Sequence, residues 1–159
     1  MTQLEIILER AIRKAAPLSL DSSALIAYLA GEQPQNALIA HLLESDAQIV
    51  ISAITASESF VRTVETYGRD FAEDILASLE NSGRLFLVPF GRSHLMETAT
   101  IRSVTRLKLP DAAIVATARV AGAIALVGND RAWQNKSLGI QYIHLDDVVR
   151  EAQMEEEPR

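Results

Sequence analysis

The chain has 159 residues, 48% apolar and 23% charged, which fits one globular domain whose core needs neither disulfides nor a structural metal. It has no cysteine, so disulfides and thiolate-held metals are excluded; it shows no leader-like or membrane-spanning stretch, and the expected location is the cytoplasm. The net charge of −6 argues against a wholly basic nucleic-acid binder, although residues 151–159 carry part of it and the remainder holds 14 basic and 17 acidic side chains, a net −3.

In chain order, residues 2–16 read as an amphipathic helix, with Leu4, Ile7, Leu8, Ala11, Ile12 and Ala15 on one face. Pro17 ends it, and Leu18–Leu20 form a short strand leading to Asp21. Helices follow over Ser22–Ala30 and Pro34–Glu44. Ile49–Ile54 is a β-branched run and reads as a buried strand. Two helices, Thr55–Tyr67 and Asp70–Asn81, precede a strand over Leu85–Phe90. Helices over Ser93–Leu107 and Asp111–Ala121 flank a Lys108-Leu109-Pro110 connection. The second is apolar nearly all round and is predicted to be buried. Ala123–Val127 and Gln141–His144 complete the strands, with a helical turn at Asp146–Arg150 and a disordered acidic tail over residues 151–159. Short, unalternated apolar strands alternating with helices predict a parallel sheet covered on both faces. Residues 1–16 are expected to be a helical extension and residues 17–150 the main domain.

Four acids stand at element ends: Asp21, Glu58, Asp111 and Asp130. Each has a structural role open to it. Asp21 can cap the helix after it, and Thr55-Ala-Ser-Glu58 has the form of a capping box. Asp111 suits a first helical turn, and Asp130 a Gly-Asn-Asp turn. Together they suggest more. In a parallel sheet the site lies beyond the carboxyl ends of the strands, where all four can face one edge. Carboxylates repel, so a shared site calls for a cation, and oxygen ligands suit Mg²⁺ or Mn²⁺. That reading points to a metal-dependent phosphodiesterase.

Residues 84–108 reverse the overall charge, with Arg84, Arg92, Arg102, Arg106 and Lys108 against Glu97. This is either a solvated helix face or a surface that tracks phosphates. His41, His94 and His144 lack zinc-ligand spacing. No G-x-S-x-G elbow, P-loop or G-x-G-x-x-G is present. A receiver domain would need paired acids after the first strand and a Lys after the last. Trp133 reads as a packing residue.

The segments LDSSALIAYL, SAITASE, LPDAAIVATARVAG and LVGND, in that order, resemble a PIN domain, most closely the VapC-type ribonuclease toxins of prokaryotic toxin–antitoxin pairs. The similarity runs from about Leu18 to Val149, with gaps of 37, 53 and 19 residues between successive acids. The resemblance implies a three-layer α/β/α fold around a five-stranded parallel sheet. It also implies one or two Mg²⁺ or Mn²⁺ ions and cleavage of single-stranded RNA. By position, Asp21, Glu58, Asp111 and Asp130 match the family's acidic quartet as catalytic residues and metal ligands, and Arg102 and Arg106 are candidate RNA contacts. A small antitoxin is the expected partner, placing a basic side chain among the acids and a helix beside Leu25, Leu29, Leu38 and Leu42. A homodimer is also expected, and residues 1–16 are either a dimer-packing element or the result of a misassigned start codon. The hydroxyl residue common two places before the last acid is Gly128 here, so one hydrogen bond to the site is expected to be missing, with Asn129 as a substitute or a ligand. The alternatives are a silent PIN-like interaction module and an RNA-processing nuclease with no antitoxin.

Overall fold

The computed structural model describes residues 1–156. Five parallel strands form one sheet: β1 (Leu18–Leu20), β2 (Ile49–Ser52), β3 (Leu85–Val88), β4 (Ala125–Gly128) and β5 (Gln141–His144). Their order is β3-β2-β1-β4-β5. The chain builds outward from β1 through β2 to β3, then returns to add β4 and β5 on the other side. Its order therefore reverses beside β1, and the crevice at such a switch point, beyond the strand carboxyl ends, is where open α/β sheets place their sites. β1, β2 and β4 are buried along their whole length, which explains their unalternated apolar sequences.

Among the described residues eight α-helices accompany the sheet: α1 (Gln3–Lys14), α2 (Ser22–Leu29), α3 (Gln35–Glu44), α4 (Ala53–Tyr67), α5 (Arg69–Asn81), α6 (Arg92–Thr105), α7 (Leu109–Val120) and α8 (Leu145–Glu156). The core falls into two parts. One gathers α1, α2, α3 and α8 around β1 and β2, through side chains such as Leu4, Leu20, Leu25, Ile39 and Leu145. The other surrounds α7, where Ile114, Val115, Ala116 and Ala118 pack with Ile101, Leu126 and Trp133. The all-round burial expected of α7 is observed.

Several boundaries differ from the sequence reading for local reasons. β2 ends at Ser52, whose side chain accepts the Thr55 amide and starts α4 two residues earlier than expected. β3 stops at Val88 rather than Phe90. α7 starts at Leu109, because Pro110 sits in its first turn, where its missing N–H costs nothing. β4 starts at Ala125, since the Ala123 amide still bonds to the Ala118 carbonyl in the turn that closes α7.

Both ends of the chain differ more. Four members of the α1 stripe, Leu4, Ile7, Leu8 and Ala11, are buried in this chain's own core, so residues 1–16 are part of the domain, while Ile12 and Ala15 of the same stripe stay exposed. The acidic segment 151–156, expected to be disordered, continues α8. Glu151 accepts the Gln3 amide at 2.7 Å, and Glu155 pairs with the amino group of Met1. Read alone, the Glu-rich run looks like a solvated tail. In the fold it lies against the start of α1, where helix amides lack partners and favour negative charge. The remainder of the expected tail, 157–159, lies outside the described residues.

Leu4 is 2% exposed. Leu4→Ala is expected to destabilise the protein by about 2–5 kcal/mol in urea unfolding, the usual range for a buried leucine. A loss below about 1 kcal/mol would show that α1 is not part of the core.

Candidate active site

The site forms where β1 and β4 end side by side. Asp21 follows β1 directly and caps α2. Its Oδ1 accepts the Ala24 amide at 2.9 Å and the Ser23 hydroxyl at 2.6 Å. Its Oδ2 accepts the Tyr142 hydroxyl at 2.9 Å. The structural role weighed for Asp21 is thus real. Capping occupies only Oδ1, however, and this carboxyl is 1% exposed, far more deeply buried than a helix cap requires. Burial pushes its pKa up to about 6, against the lowering effect of its three donors, and repulsion from Asp130 adds to the rise.

Asp130 lies two residues beyond β4, where its Oδ1 accepts the Ala132 amide at 2.9 Å and caps a short 3₁₀ turn, Arg131–Trp133. Asp111 is the third residue of α7, half-buried, and caps nothing. Its pKa is raised first by burial and then by Asp130, while Lys108 lowers it. Glu58 is an exposed residue of α4. Its pKa is raised first by burial and then by Asp111. The capping box proposed for Glu58 does not form, because Ser52 rather than Thr55 caps α4. Glu58 is therefore left without that structural role.

Mutual repulsion runs pairwise through the four acids: Asp111 raises the pKa of Glu58, and Asp130 raises those of Asp111 and Asp21. Residues spread over 110 positions of sequence share one local field. Among the described residues no three His, Cys, Asp or Glu side chains are close enough to enclose an ion. The donor set fits a hard divalent ion that keeps much of its water and takes one or two carboxylates, as Mg²⁺ does, and does not fit a closed cage. The Asn129 Oδ1 and the Ser22 Oγ are buried beside these acids in sequence and have no partner among the described residues.

The hydrogen bond expected to be missing at Gly128 is supplied from another strand. Tyr142, on β5, provides the hydroxyl. Asn129 does not replace it. Its amide donates to Ser23 Oγ at 2.7 Å, and its side chain does not reach Asp21 by any hydrogen bond. Trp133 is 3% exposed and its ring lies 5.7 Å from that of Tyr142, so it packs as expected.

The basic stretch divides. Arg84 precedes β3, at the opposite edge of the sheet, and pairs with Asp46 at 2.8 Å. Glu97 pairs with Arg119 at 3.0 Å. Arg102 and Arg106 are exposed on the last turn of α6 and its cap, with no ion pair among the described residues. Lys108, counted in the sequence within this basic stretch but not singled out from it, lowers the pKa of Asp111. As the N-cap of α7 it stands one helical turn from Asp111.

A PIN domain family model matches residues 18–137, most of the chain and all four acids. The chain belongs to the PIN domain family. Solved structures share its fold at low identity. A toxin–antitoxin complex from Klebsiella pneumoniae aligns with a TM-score of 0.64 and 19% identity, covering 82% of this chain and 98% of that one. VapBC2 from Rickettsia felis, bound to a DNA fragment from its promoter, gives a TM-score of 0.61 and 15% identity, covering 80% and 97%. DNA-bound VapBC from Salmonella typhimurium gives 0.60 and 20%, covering 82% and 98%. Comparison with curated proteins gives no match. This PIN domain has the expected three-layer fold around a five-stranded parallel sheet. Among its described residues no helix is long and apolar enough to cross a membrane.

Proposed function

We propose that this PIN domain is a metal-dependent endoribonuclease that cleaves single-stranded RNA and serves as the toxin of a type II toxin–antitoxin pair. The observation that carries the reading is the linked field of Asp21, Asp130, Asp111 and Glu58 beyond the ends of β1 and β4. Without a cation, partly desolvated carboxylates that raise one another's pKa repel each other and any phosphodiester. Asp21 and Asp111 would hold Mg²⁺ or Mn²⁺, with Asp130 and Glu58 completing the set directly or through water. When bound, the ion supplies Lewis acidity to the scissile phosphate and to water.

The protein's own groups do the positioning. Asp21 is fixed by three hydrogen bonds, so its orientation is set before substrate arrives. Lys108, together with Arg102 and Arg106, would hold the RNA backbone, since backbone phosphates attract such cations without reading sequence.

The complexes among the similar structures support an antitoxin partner. Of the residues expected to form its surface, Leu25 and Leu42 are fully buried, while Leu29 and Leu38 stay partly exposed. Leu29 lines an open groove of about 400 Å³ between α2 and α4, together with Ile26, Ala30, Tyr67 and the charged Glu32 and Arg62. It suits the apolar face of a partner helix.

The test is to incubate purified protein with single-stranded RNA in Mg²⁺, in Mn²⁺ and in EDTA. Cleavage is expected with either ion and is abolished by EDTA. Equal cleavage in EDTA, or none with either ion, would overturn the reading. Expressed alone the chain should slow growth, and co-expression of a small neighbouring gene should relieve it. Slowed growth that persists in Asp21→Asn would trace the harm to something other than this site.

A further inference from the structure

Gly128, the last residue of β4, has an ordinary backbone conformation, and no positive φ explains the glycine. The space around it does. A Cβ built there collides with Asp21 Oδ2 and Cγ and with the Tyr142 hydroxyl. The carboxylate and the phenol meet in the volume that any side chain at this position would fill.

Tyr142 then makes two bonds from one oxygen. It donates to Asp21 Oδ2 at 2.9 Å and accepts the Asp130 amide at 3.1 Å. Ser23 mirrors it on the other carboxylate oxygen, donating to Oδ1 at 2.6 Å and accepting the Asn129 amide at 2.7 Å. Two hydroxyls thus tie both oxygens of Asp21 to successive amides of the turn that carries Asp130. The Trp133 ring packs against Tyr142 and limits how its ring can turn. With the Ala24 amide, Asp21 accepts three hydrogen bonds. An ionised carboxylate has about four acceptor positions, so one remains, on Oδ2.

We infer that Tyr142, given room by Gly128, is a positioning residue that aims the one free acceptor position of Asp21 at the cation and couples it to the Asp130 turn. This rests on the metal-dependent reading above. Phenylalanine at 142 keeps the ring packing and loses the hydroxyl. Alanine at 128 keeps the strand and forces Asp21 and Tyr142 apart.

Two measurements test it. The first needs no metal: urea unfolding of wild type, Tyr142→Phe, Asp21→Ala and the double variant at pH 7.5. The midpoint loss caused by Tyr142→Phe is expected to shrink by half or more once Asp21 is absent, as for any directly coupled pair. An equal loss in both backgrounds would show that Tyr142 does not act through Asp21, and would overturn the inference. The second is Mn²⁺ affinity by calorimetry. Tyr142→Phe and Gly128→Ala are each expected to weaken binding about 10-fold or more, as loss of a group that orients a metal ligand does. Wild-type affinity in both variants would overturn the positioning role. A wild type that binds no Mn²⁺ would overturn the proposed function instead, and the unfolding experiment would still decide whether Tyr142 holds Asp21.

Discussion

Asp21→Asn is expected to make the metal-free protein more stable at pH 7.5 while abolishing RNA cleavage. Burial lifts the Asp21 pKa to about 6 from 3.8, so the native state holds this proton more tightly than the unfolded chain does. The sign follows. Below about pH 3.8 the carboxyl is neutral in both states and carries no penalty. As pH rises toward 6 the unfolded chain ionises first, and stability falls. Above pH 6 the penalty is complete, at most about 3 kcal/mol at 1.36 kcal/mol per pKa unit. Asparagine keeps an oxygen for the Ser23 and Ala24 donors and presents no charge to bury. The advantage of the mutant should therefore grow by about 2 kcal/mol between pH 4 and pH 7.5 in urea unfolding. Millimolar Mn²⁺ should raise the melting temperature of wild type more than that of the mutant, because only the carboxylate gains from binding it. A mutant advantage that does not change with pH would contradict the burial account.

Asp111→Asn is expected to lower RNA cleavage by at least about 100-fold with stability nearly unchanged, since a metal's charge stabilisation is worth several kcal/mol and each 1.36 kcal/mol is tenfold in rate. Among the described residues Asp111 accepts no hydrogen bond, so no structural partner is lost. Removing its charge weakens its match to the α7 dipole by about 0.3–1 kcal/mol and relieves repulsion from Glu58 and Asp130, and these oppose each other. Cleavage within threefold of wild type, or a loss of activity explained by unfolding, would remove Asp111 from the site.

What the sequence shows and what it hides divide along the range of the contacts involved. The strands were legible because buried parallel strands are written as unbroken apolar runs, and Asp21 and Asp130 because they follow such runs directly. The capping role of Glu58 was a false local signal, undone by Ser52, a competing cap only three residues before Thr55. Nothing local marks Tyr142, whose bond to Asp21 spans 121 positions, or Ser23 as a bridge to Asn129, 106 positions away. Gly128 looked like a lost hydroxyl, because its purpose is to leave space, and space is visible only once β5 is in place beside β4. The same holds for α8. Glu151 and Glu155 read as a solvated tail until the start of α1 is brought against them.

The central claim is that four carboxylates from four parts of the chain bind one class of cation. Calorimetric titration of Mn²⁺ into wild type and into Asp21→Asn, Glu58→Gln, Asp111→Asn and Asp130→Asn tests it directly. The expected result is saturable binding by the wild type, weakened at least about 10-fold in Asp21→Asn and Asp111→Asn and by less in the other two, with every variant folded. Binding that is absent in the wild type, or equal in all five proteins, would contradict it.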